Sequence, residues 1–143
     1  MEVPYYVRAA WELAREYATR NPARIAQERG IKLLYLPFRS IYGVGAYLAD
    51  CKLIAVNSNL EEEEQNLVIA HELAHFELHP EFSVYFVLSH SLFYTRWEYE
   101  ANMFAAALRI GEDLARYEPA IRELAAGRVD KFIKALGARI EDN

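Results

Sequence analysis

Residues 71 to 75 read His-Glu-Leu-Ala-His. Two histidines four apart lie on one face of an α-helix, so both imidazoles can reach a single metal ion at about 2.0 to 2.1 Å. Glu72 is turned about 100° from His71 and about 60° from His75, close enough to act on a water beside the metal without being forced onto the ion. The run therefore offers two ligands and a general base. A catalytic zinc takes a third protein ligand and keeps one position open. Glu98 and Glu100, the acids of the next helical segment, are the available suppliers. The stretch from Thr95 to Glu98 (TRWE) has the form of a capping box, which gives Glu98 a local task. Glu100 has no such task and is the expected third ligand, the plainer alternative being a solvated acid in a helix's first turn.

Five further residues are candidates for supporting roles. His79 follows His75 by four residues, but the spacing HExxHxxxH with Pro80 next differs from the three-histidine HExxHxxGxxH pattern. It is expected to support a ligand or the helix end rather than to bind the ion. His90 and Tyr94, together with Tyr85, could donate to the oxyanion of a tetrahedral intermediate, their ordinary reading being packing. Asn102 could orient a ligand or lie exposed on its helix. Cys51 reads as an incidental turn cysteine, and the acids Glu61 to Glu64 as complements to a helix dipole.

The elements that must carry these residues are marked by periodicity and punctuation. Pro4 to about Arg20 places Tyr6, Ala9, Ala10, Leu13 and Tyr17 at helical spacing. NPARIAQERG gives a short second helix, with Asn21 as cap, Pro22 at the first helical position and Gly30 as stop. Ile31 to Leu36 suits a strand, and GAYLA with KLIAVN suits a hairpin whose second arm is apolar on both faces, as an inner strand would be. A helix of about 16 to 20 residues then carries the motif, opened by a capping box at Ser58 with Glu61 or Asn59 with Glu62, and closed by Pro80. Leu67, Ala70, Ala74 and Leu78 lie on one side of it and Ile69, Leu73 and Phe76 nearly opposite, so it is expected to be sandwiched. A further helix runs through EANMFAAALRI to Gly111, followed by short helices over Pro119 to Ala126 and Val129 to Leu136.

Composition narrows the function classes. The 143 residues are 53% hydrophobic and 26% charged, enough for one folded domain over 1–143. With 21 acidic and 16 basic residues the net charge is −5, a poor sign for binding a polyphosphate backbone, so no direct nucleic-acid contact is expected. The acidic excess is local, since residues 61 to 100 hold 9 acids and 1 base. A single cysteine and the absence of a basic, then apolar, leader at MEVPYYVRAA favour a reducing cytoplasm. The apolar run FSVYFVLSHSLFY has 13 residues, short of the roughly 20 a membrane span needs.

HELAHFELHP, a short aromatic-rich stretch, and EYEANMFAAALRI together resemble the ImmA/IrrE-type metallopeptidases, gluzincin-like zincins often encoded by mobile elements and prophages. NPARIAQERGIKLLYL and the hairpin ending in AVNSNL extend the likeness to about residues 21 to 110. The resemblance implies an α+β zincin-like metallopeptidase domain, a small mixed or antiparallel sheet packed against the active-site helix with further helices around it. It also implies that His71, His75 and Glu100 bind zinc, with Glu72 as the catalytic carboxylate. Manganese or another divalent ion is an alternative, because availability can override intrinsic affinity. The implied substrate is a helix-turn-helix repressor on a separate chain. Relatives commonly end the FAA segment with a Leu-Met-Pro-like sequence where this chain reads ALRIGEDL. That departure keeps a second expectation open, a metal-binding regulator that binds a repressor without cutting it.

Overall fold

The computed structural model describes residues 2–48, 50–79 and 96–141. Along the chain the described elements are α1 (Tyr5–Tyr17), α2 (Pro22–Glu28), β1 (Lys32–Leu36), β2 (Gly43–Leu48), β3 (Cys51–Asn57), α3 (Glu62–Leu78), α4 (Arg96–Ile110), α5 (Leu114–Ala125) and α6 (Val129–Glu141), with one 3₁₀ turn at Gly111–Asp113. The architecture is α+β, a three-stranded mixed sheet against a set of helices, as a zincin-like domain requires.

Strand order is β1-β3-β2, with β1 parallel and β2 antiparallel to β3. The doubly apolar β3 is thus the inner strand, and Ile54, Ala55 and Val56 are buried. Helix α3 packs against both β2 and β3. Gly43 permits the close approach, because a Cβ there would collide with the side chain of Val68.

The opposite side of α3 meets α4, which is buried continuously from Glu100 to Leu108 and is contacted by α1, α3, α5 and α6. The alanines at 105 to 107 let four helices come near one axis. On α1 the buried stripe is Val7, Ala10 and Leu13, flanked by half-buried Tyr6, Ala9 and Tyr17. The Trp11 indole N–H donates to the Ala107 carbonyl at 3.1 Å and pins α1 to α4.

Several local expectations are met. The Asn21 side chain accepts from the backbone N–H groups of Ala23 and Arg24, and Gly30 and Gly111 end α2 and α4 in left-handed backbone. Others are corrected. The box that opens α3 is Glu61 with Glu64, whose side chain accepts from the Glu61 N–H at 3.0 Å. Asn59 is spent on the preceding turn, where its N–H donates to the Asn57 side chain and its amide to the Phe38 carbonyl. Helix α5 starts five residues before Pro119, which lies inside it: burial of Leu114 and Ile121 along one stripe outweighs the hydrogen bond that the proline removes. Helix α6 continues past Leu136 to Glu141. No helix among the described residues is long and apolar enough to cross a membrane.

Candidate metal centre

The motif lies in the part of α3 that is buried on every side, with Leu67 through His75 all buried. His71 and Glu72 have no exposure, and His75 has 2%. Placing two imidazoles and a carboxylate in such surroundings is costly unless each finds a partner, and α4 supplies partners to the two histidines. Glu98 Oε1 lies 2.7 Å from His75 Nε2 and 3.4 Å from His71 Nε2, and the two Nε2 atoms are 3.3 Å apart. Among the described residues, His71, His75 and Glu98 form the group whose ligand atoms all fall within 4.8 Å of one another.

Glu98, not Glu100, is therefore the acid brought to the two histidines. The reason is rotational: Glu98 and Asn102 are four apart on α4, as His71 and His75 are on α3, so the two pairs face each other. Glu100 is turned about 200° from Glu98 around the helix axis. Its carboxylate instead accepts from His79 Nε2 at 3.0 Å, from Arg96 Nε at 3.1 Å and from the Tyr5 hydroxyl. The capping argument that set Glu98 aside gave weight to a local signal that the structure overrides, since the Glu98 carboxylate is turned to the histidines; Thr95 lies outside the described residues. The four-residue spacing of Glu98 and Asn102 was the signal that could have found the acid that faces the histidines.

Asn102 is fully buried and orients His71. Its amide nitrogen donates to the Ala125 carbonyl at 3.0 Å, so its oxygen faces His71 Nδ1 at 2.9 Å and accepts from it. In neutral His71 the Nε2 then carries the lone pair, aimed at His75 and Glu98. His79, 2% exposed, lies with Nδ1 3.1 Å from His75 Nδ1 and its ring stacked on Trp97. Glu72 is close enough to both motif histidines to favour their charged forms. His90, Tyr94 and Tyr85 lie outside the described residues.

The electrostatics express the crowding of these groups. Burial opposes charge on His71, yet the Glu98 carboxylate and then Glu72 hold its imidazole above the usual histidine value. At His75 burial prevails and pushes the value down. Burial likewise works against an ionised Glu98, but the two histidines hold its carboxyl far below the ordinary range. A positive charge between these atoms satisfies all three.

The donor set fits a divalent metal. Ligands at about 2.0 to 2.1 Å in a tetrahedral shell stand about 3.3 Å from each other. Two of the three separations, 3.3 and 3.4 Å, have that value, and the third, 2.7 Å, is shorter. Two imidazole nitrogens and a carboxylate oxygen suit zinc and neighbouring divalent ions.

Over residues 26–124 the chain matches the Peptidase_M78 family, described as the IrrE N-terminal-like domain. It is also 35% identical over 102 residues to "Uncharacterized immunity region protein 2" of Bacillus phage phi105. That alignment takes in 70% of this chain and 65% of the relative, so the chain spans less than two thirds of the relative's length. The family match includes the helices that carry His71, His75 and Glu98, and the chain belongs to the IrrE N-terminal-like domain family of peptidases.

Proposed function

We propose that the protein is a zinc-dependent endopeptidase, acting in the cytoplasm as a single domain and cutting a repressor protein carried on a separate chain. The observation that supports it is the convergence of His71 Nε2, His75 Nε2 and Glu98 Oε1 beside a buried Glu72, in a chain of a peptidase family. In this reading His71, His75 and Glu98 hold the ion, which takes Glu100 out of the ligand set. When bound, the ion supplies the Lewis acidity that polarises a scissile carbonyl and acidifies water.

The chain's own residues do the rest. Glu72 accepts a proton from the attacking water as the water oxygen bonds to the carbonyl carbon. It returns that proton to the amide nitrogen as the C–N bond breaks, so the leaving group departs as a neutral amine. Burial keeps Glu72 in a low-dielectric setting, where its charge acts strongly on a nearby proton. Asn102 accepts from His71 Nδ1, which would leave the Nε2 lone pair free to hold the ion. An extended substrate could pair with an outer strand, since among the described residues β1 and β2 each pair with β3 alone. The choice of a repressor is supported by the relative, which is named an immunity region protein of a phage.

The test is incubation of purified, zinc-loaded protein with any helix-turn-helix repressor found encoded beside its gene. Wild type should cut, and Glu72→Gln should retain zinc and bind the repressor without cutting it. Equal cleavage by the two proteins would reject the mechanism. Repressor binding without cleavage by wild type would favour a regulator that sequesters its partner.

A further inference from the structure

His79 and Glu100 lie beyond the three proposed ligands, and their hydrogen bonds lead back to one of them. We propose that Glu100 and His79 form a positioning relay that fixes the tautomer of His75 and holds its Nε2 lone pair toward the point where His71, His75 and Glu98 converge. This rests on the reading of that point as a metal centre. The Glu100 carboxylate, 2% exposed, receives Arg96 Nε at 3.1 Å and the Tyr5 hydroxyl, and an ionised carboxylate only accepts. His79 Nε2, 3.0 Å from Glu100 Oε1, is therefore the donor of that pair.

A neutral imidazole has one N–H, so His79 Nδ1 is left as an acceptor. It faces His75 Nδ1 at 3.1 Å, and His75 Nδ1 must donate. In a neutral His75 the lone pair is then on Nε2, the atom 3.3 Å from His71 Nε2 and 2.7 Å from Glu98 Oε1. With both imidazoles neutral, each assignment forces the next, from a buried carboxylate on α4 to a buried ligand atom on α3. The two motif histidines are thus oriented by different means: His71 by the Asn102 amide and His75 by a carboxylate acting through a second imidazole. Glu100 acts on the site without touching the ion.

Zinc affinity, measured by competition with a chromophoric chelator, separates this role from a packing role. His79→Phe keeps a ring to stack on Trp97 but offers no acceptor; His79→Asn loses the ring and can accept from His75 Nδ1. The relay predicts that His79→Phe and Glu100→Ala each weaken zinc binding by about 10- to 100-fold, with His79→Asn binding more tightly than His79→Phe. The reverse ranking, or His79→Phe binding as tightly as wild type, would overturn it. Long-range proton–nitrogen-15 spectra of zinc-loaded wild type give a readout that needs no variant. His79 should be neutral with its proton on Nε2, and a doubly protonated or Nδ1-protonated His79 overturns the relay. Wild type that binds no zinc overturns the metal reading and the relay together, whereas tight wild-type binding with an unaffected His79→Phe overturns the relay alone.

Discussion

Helices α3 and α4 bury carboxylates at both ends of their contact, and the two ends solve the problem differently. At one end Glu63 meets Arg109 in a forked pair, Nε to Oε2 at 2.6 Å and a terminal guanidinium nitrogen to Oε1 at 2.8 Å; the other terminal nitrogen donates to the Arg20 carbonyl. A protein cation fills that end, and its geometry is closed. At the other end Glu98 meets His71 and His75, whose Nε2 atoms converge with its Oε1 on a common point. The first arrangement holds helices together, and the second is suited to holding an ion. The difference teaches that a buried acid signals a site when its partners aim lone pairs, rather than bonded protons, at the same place.

The largest expected effect concerns the open end. Glu72→Gln should lower cleavage of the repressor by about 10²- to 10⁴-fold, measured by single-turnover kinetics, with zinc content unchanged. Next comes an exchange of roles between the ends. Arg109→Ala should cost about 3 kcal/mol in a urea titration, because it takes the guanidinium away from the largely buried Glu63 carboxylate, and should leave zinc affinity alone. Glu98→Gln should abolish the zinc-dependent rise in melting temperature, a rise worth about 2.7 kcal/mol for wild type at a hundredfold excess of zinc over its dissociation constant. If Arg109→Ala weakened zinc binding as much as Glu98→Gln, the two ends would not be separate.

Asn102→Ala should show both effects at once. It frees His71 to rotate, costing about 10- to 100-fold in zinc affinity. It also strips the Ala125 carbonyl of its donor, about 1 to 3 kcal/mol of stability by denaturation. The smallest effect is a control remote from both ends: Asn21→Ala removes the cap of α2, at about 1 kcal/mol, and should not move zinc affinity.

Much of the frame was legible because it depends on neighbours in sequence. The inner position of β3 followed from apolar residues on both its faces, and the sandwiching of α3 from apolar stripes on opposite sides. The start of α3 was misplaced by a few residues because Ser58, Asn59 and Glu61 are all competent caps, and the turn's need for Asn59 is a contact with Phe38 far back in the chain. The reach of α5 was hidden by Pro119, whose local cost is offset only by packing of Leu114 and Ile121 against other elements.

The candidate site divides the same way. His71, Glu72 and His75 were set by the sequence itself, since helical geometry puts residues four apart on one face whatever surrounds them. Which acid joins them was decided by tertiary structure. Glu98 and Glu100 are two residues apart and chemically identical, and only the rotation of α4 against α3, fixed by the packing of its buried alanines, Met103 and Phe104, turns one toward the histidines and the other toward His79. A periodicity specifies a face of a helix, but the angle at which that face meets its neighbour is a property of the whole core.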